Sequence, residues 1–165
     1  MSTRRSNYGL VFRLLSLFGL GLAVFLAFLS RTDIANLLRK SSYAEWATAM
    51  ESALRAKQVE LLQIDFGTYP STGDKMHVAL AIAEPTYEFG FNRLFMDVHR
   101  VIIDTYLQSE PQPPAVDYIS VVVVASSGFR YGVRAPFQAA KDYAQGAMDS
   151  EAYMATWEVG VDESD

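Results

Sequence analysis

The sequence predicts an α+β protein: one N-terminal transmembrane helix, then a four-stranded antiparallel sheet in ββαββα order with helices packed on one face. Three observations predict it. Leu14–Leu29 is a 16-residue run with no charged residue. Two pairs of segments further on alternate apolar and polar residues at period two, each pair joined by turn residues. Between and after those pairs the apolar period lengthens to that of a helix. The predicted boundaries are a basic tail at 1–8, a transmembrane helix at 9–30, a helical stem at 31–41, an α+β domain at 42–160 and an acidic tail at 161–165.

Eleven of the residues from 14 to 29 are Leu, Val or Phe. Extended back to Tyr8, the segment is long enough as a helix to cross a hydrocarbon core of ~30 Å, with Arg13 snorkelling near its end. A cleaved leader is disfavoured because the run ends in FLS, which places Phe28 where cleavage requires a small residue. The segment is therefore predicted to be an uncleaved anchor. Flanking charge nearly ties, and the acidic C-terminal part tips the orientation to N-terminus cytoplasmic, domain extracytoplasmic. Ser16, Gly19, Ala23, Ala27 and Ser30 recur at steps of three and four, so they share one helical face. Helices in lipid associate through close packing at small residues, and this stripe is the predicted contact with another membrane helix.

After the stem, Ser42-Tyr43-Ala44-Glu45 reads as a capping box, followed by a helix with Tyr43, Trp46, Met50 and Leu54 on one stripe. Val59–Gly67 alternates, with Leu62, Ile64 and Phe66 opposite Gln63 and Asp65. TYPSTGD supplies a turn, and Met76–Ala83 alternates again until Pro85. Thr86 to Gln108 is helical, burying Phe91, Leu94, Phe95, Val98 and Ile102. Its outer face carries the i,i+4 pairs Arg93–Asp97 and Arg100–Asp104. EPQPP at 110–114 breaks the helix. Asp117–Ala125 is apolar on both faces, as a central strand is. Ser126-Ser127-Gly128 turns into a strand with Arg130 and Arg134 on its wet face. Two short helices follow, Phe137–Met148 and Ser150–Trp157, the second capped by Asp149. The end, VGVDESD, reads as a frayed tail.

Function classes narrow by elimination. There is no cysteine among the 165 residues, which removes disulfides, thiolate metal sites and thiol catalysis. Residues 1–30 carry Arg4, Arg5 and Arg13 and no acid, leaving 11 bases against 19 acids in 31–165. A domain so acidic is unsuited to the phosphate backbone, so no nucleic-acid partner is expected. The two histidines, His77 and His99, lack ligand spacing, and no nucleophile elbow, P-loop or dinucleotide fingerprint is present. No catalytic, cofactor or metal site is expected, and the chain is not expected to be an enzyme. The expected function is a non-catalytic, single-pass membrane-anchored accessory subunit. Its helix packs in a larger membrane complex and its domain caps or braces that complex. Its expected partners are other membrane subunits and the bilayer. The alternative is a membrane-tethered module for a small ligand or soluble protein. Arg130 and Arg134 form the candidate docking surface, facing an acidic neighbour. The Ala79, Ala81, Ala83 run is either a flat docking face or, as favoured, a surface packed under the domain's own helices.

Overall fold

The computed structural model describes residues 42–69, 72–86 and 90–162, with side chains as far as Gly160. The predicted tail, transmembrane helix and stem (1–41), including the stripe Ser16, Gly19, Ala23, Ala27 and Ser30, lie outside the described residues. Among the described residues no helix is long and apolar enough to cross a membrane.

Helix α1 covers 42–56. Trp46, Met50 and Leu54 recur at four-residue steps and are fully buried, which fixes its inner face. Its end is a Schellman turn: the Val59 amide donates to the Leu54 carbonyl at 3.0 Å and the Gln58 amide to that of Arg55 at 3.0 Å. The turn holds Gln58 at φ 61°, a conformation that costs any residue with a Cβ. Gln58→Gly is therefore expected to stabilise the protein by about 0.5–1 kcal/mol, the relieved strain exceeding the added chain entropy. A urea midpoint that fails to rise would show that the turn is not strained.

Strands β1 (Leu61–Tyr69) and β2 (Lys75–Ala83) form the first antiparallel hairpin. The register slips between Leu61 and Gln63. That bulge changes the parity of the strand, so Leu61, Ile64 and Phe66 meet the core while Leu62, expected inside, is 50% exposed. Helix α2 (Phe91–Gln108) follows and buries Leu94, Phe95, Val98 and Ile102, whereas Phe91 at its start remains 38% exposed. Both predicted pairs form on its outer face, Arg93–Asp97 at 3.9 Å and Arg100–Asp104 at 4.0 Å.

The expectation of an all-antiparallel sheet is corrected at the next strand. β3 (Tyr118–Val124) pairs parallel to β2, from His77↔Tyr118 to Ala83↔Val124. Eighteen residues of α2 carry the chain back along the sheet, so β3 starts beside the start of β2; a parallel pair requires such a crossover. β4 (Arg130–Pro136) returns antiparallel to β3. The four-strand count is corrected as well. Helices α3 (Phe137–Ala144) and α4 (Ser150–Met154) are shorter than predicted, and Glu158–Asp162 forms a fifth strand, β5, antiparallel to β4. Asp149 does cap α4, accepting from the Ala152 amide at 2.8 Å. The result is one five-stranded mixed sheet in the order β1-β2-β3-β4-β5.

Val78, Leu80, Ile82, Ile119, Val121, Val123, Val133 and Ala135 point from the sheet into a core shared with α1, α2, α3 and Tyr153 of α4. The described helices therefore lie on one face of the sheet, as the sequence predicts, and among the described residues the opposite face carries no helix.

Candidate functional site

The face away from the helices is built by strand parity. Asp65, Ala79, Ser120, Arg134 and Glu158 form one row across the five strands, and Gln63, Ala81, Val122, Gly132 and Gly160 form the next. Ala79, Ala81 and Ala83 are half-exposed on this face. The favoured expectation, that they pack under the domain's own helices, is corrected: those helices pack on Val78, Leu80 and Ile82 instead. Among the described residues the alanine run remains a flat, half-exposed surface, with Val122 and Val124 of the central strand beside it.

At the β3–β5 side this surface forms a groove of about 470 Å3, lined among others by Ser120, Val122, Arg130, Gly132, Arg134 and Gly160. Glycine is required in its floor. A Cβ on Gly132 would lie 2.9 Å from the Val121 carbonyl oxygen and 3.1 Å from a Val122 methyl. The two arginines of the candidate docking surface stand on either side of Gly132, so the structure brings both to one groove. They are not equivalent. Arg134 is bonded through Nε and Nη2 to the Glu158 carboxylate and lies over the Tyr118 ring at 5.6 Å. Its charge is already met within the chain. Arg130 is exposed at the strand end.

One end of the face carries a polar network that the sequence did not reveal. His77, expected to be structural or on the surface, is 2% exposed beneath Tyr69 and Tyr118, whose rings lie at 4.8 and 5.1 Å. The Thr72 hydroxyl donates to the Tyr69 carbonyl at 2.8 Å, so it can only accept from His77 Nε2–H at 2.9 Å. That fixes the tautomer, and Nδ1 accepts from the Ser120 hydroxyl at 3.2 Å. Burial, then the nearby Arg134 charge, lowers the His77 pKa against the opposing pull of Asp117 and Glu158, so the ring is held neutral. Ser120 thus has a base but sits in the central strand, where its main chain is committed to the ladders on both sides. The arrangement orients side chains; it aims no main-chain donors at a developing oxyanion.

His99 is also buried, on the helix side. Its Nδ1 lies 2.6 Å from the Tyr153 hydroxyl, and Phe95 and Trp157 pack around it at ring distances of 6.3 and 5.8 Å. Desolvation lowers its pKa to about 3 and raises that of Tyr153, the latter opposed by the Trp157 indole. His77 and His99 occupy opposite faces of the sheet. Among the described residues no group of three or more His, Cys, Asp or Glu side chains is placed to hold a metal ion.

Compared with known proteins, the chain matches no family model, and neither a curated protein nor a solved structure shows significant similarity to it.

Proposed function

We propose that the protein is a single-pass, membrane-anchored accessory subunit whose α+β domain docks a neighbouring subunit on its open sheet face. One observation carries the reading: the sheet has apolar residues on both faces, yet the described helices cover only one. Ala79, Ala81, Ala83, Val122 and Val124 are the composition of a sheet meant to be covered, since strands apolar on both sides belong to sheets packed on both sides. Small side chains there let a partner's backbone approach closely. Arg130 at the rim complements an acidic neighbour. The apolar segment 14–29 and its small-residue stripe supply the tether and a second contact within the membrane.

The test is native mass and co-purifying chains after solubilising membranes in mild detergent. A stoichiometric assembly is expected, lost on Ala81→Lys, which places a charge on the open face without entering the core, and weakened by Gly19→Leu with Ala23→Leu. A lone chain, indifferent to all three changes, would overturn the reading. The second reading, a tethered binding module, draws on the groove beside Gly132. It predicts a lone chain that a small ligand stabilises against heat and that Ala81→Lys releases from that ligand.

A further inference from the structure

We infer that the neighbour on the open sheet face is a second copy of this chain, seated face to face about a twofold axis that runs parallel to the strands between β2 and β3. The inference rests on the proposed reading of that face as a docking surface and names its occupant.

Charge is divided across the face. Asp65 stands exposed on β1, and Glu60 stands exposed just before it. The Glu60 carbonyl accepts from the Ala83 amide at 2.9 Å, which places Glu60 in the row of Ala83, Val124 and Arg130. It lies between Val59 and Leu61, both packed in the core, so strand parity turns its side chain to the open side. The bases, Arg130 and Arg134, stand on β4. Between the two charged strands lie the small and apolar residues of β2 and β3.

A twofold contact sets one patch against itself, so it forms only where the patch is its own complement. The axis between β2 and β3 keeps every row in register and exchanges β1 with β4 and β2 with β3. In the first row Asp65 then faces Arg134 of the other copy, and Ala79 faces Ser120. In the next, Gln63 faces Gly132 and Ala81 faces Val122. In the third, Glu60 faces Arg130 and Ala83 faces Val124. Acid meets base at both ends, and the exposed Gln63 side chain meets the groove of about 470 Å3 at Gly132. The result is an aligned sandwich of two sheets, with strands within about 30° of each other and each sheet backed by its own helices.

Other twofold arrangements oppose like charges. An axis across the strands sets β1 on β1 and β4 on β4, with Asp65 over Glu60 and Arg134 over Arg130. An axis along β3 sets Asp65 over Glu158. Juxtaposed like charges suppress such pairings. Arg134 keeps Glu158 beside it, so the sharpest contact is Glu60 with Arg130, neither of which makes an ion pair among the described residues.

That contact is tested in the full-length protein in mild detergent, by sedimentation over a dilution series. The unaltered chain is expected to dimerise. Glu60→Arg and Arg130→Glu are each expected to weaken self-association by about tenfold or more, because each sets two like-charged pairs face to face. The fold, read by circular dichroism, is retained, because both side chains are exposed. Mixed in equal amounts, the two variants are expected to regain the affinity of the unaltered chain, since both contacts in the mixed dimer pair opposite charges. A residue acting only within its own chain gives no such rescue. A dimer indifferent to both changes, or a mixture that stays dissociated, would overturn the inference. A different chain bound in fixed ratio and lost on Ala81→Lys would also overturn it, yet leave the docking reading of the face standing. An unaltered chain that remains alone would overturn both.

Discussion

Replacing Trp46 by alanine is expected to cost about 3–5 kcal/mol, a large part of the 5–15 kcal/mol that holds a typical domain together. Trp46 is fully buried on α1 at the point where every layer meets. Its ring lies 5.4 Å from Phe66 of β1, 5.3 Å from Tyr106 of α2 and 6.4 Å from Phe137 of α3, the last two edge-on. Its indole N–H donates to Thr105 Oγ1 at 3.0 Å, with the Ile102 carbonyl at 3.3 Å. The Thr105 hydroxyl donates to the Val101 carbonyl at 2.8 Å, so its oxygen is left to accept from Trp46. Truncation removes the largest buried side chain, opens a cavity between three helices and a strand, and takes away the one donor to the buried Thr105 oxygen seen among the described residues. Trp46→Phe separates these terms: most of the packing stays and only the donor and part of the volume go, for about 1–2 kcal/mol. Urea denaturation of the full-length protein reads both. A loss from alanine no larger than that from phenylalanine would mean that α1 contributes little to the core.

That stripe of Trp46, Met50 and Leu54 was legible because a helix face repeats in the sequence itself. The hairpin β1–β2, helix α2 with its outer ion pairs, the hairpin β3–β4 and the Asp149 cap were legible for the same reason: each is a local pattern with a local cause. What escaped was set by pairing at a distance. Nothing near Leu62 announces a bulge, so parity placed it inside. The short VGV run before an acidic end looks like a fraying tail until Val133 and Tyr131 are known to lie beside it. Two alternating pairs separated by a helix suggest tandem hairpins, and only the return path of α2 makes β2 and β3 parallel.

The candidate site divides along the same line. Arg130 and Arg134 stood out as a basic spot, and strand period two puts both on one side. The sequence holds no sign that Glu158, 24 residues on, occupies Arg134. The alanine run was legible as flat; which side the helices cover was not, because Ala79 and Leu80 are both acceptable core residues. His77 and His99 read from the sequence as structural or surface residues, and which of the two each is was not legible. An imidazole fits a wet strand or helix flank as readily as a core, and the hydroxyls of Thr72, Ser120 and Tyr153 that make burial tolerable come from other elements.

Acid is expected to destabilise the protein through His99 well before its carboxylates are protonated. The ring is buried among Phe95, Tyr153 and Trp157, and desolvation depresses its pKa from the ordinary 6.5 to about 3. Below pH 6.5 the unfolded chain takes up a proton on this residue that the folded chain refuses. The stability due to neutral His99 is therefore complete above pH 6.5 and is lost progressively as pH falls towards 3. At pH 4.5 the loss amounts to about 3 kcal/mol, from about two units of linked titration at 1.36 kcal/mol each. His77, lowered in the same direction, adds to the slope with a smaller share. His99→Phe keeps an aromatic ring in the pocket and removes the titration. At pH 7 it gives up the 2.6 Å contact with the Tyr153 hydroxyl and is expected to be the less stable protein by about 1–3 kcal/mol. Its stability then falls less steeply on acidification, and the two curves converge near pH 5. Denaturation free energies measured between pH 4.5 and 8 decide the matter: parallel curves would place the acid sensitivity elsewhere, in the carboxylates or in His77.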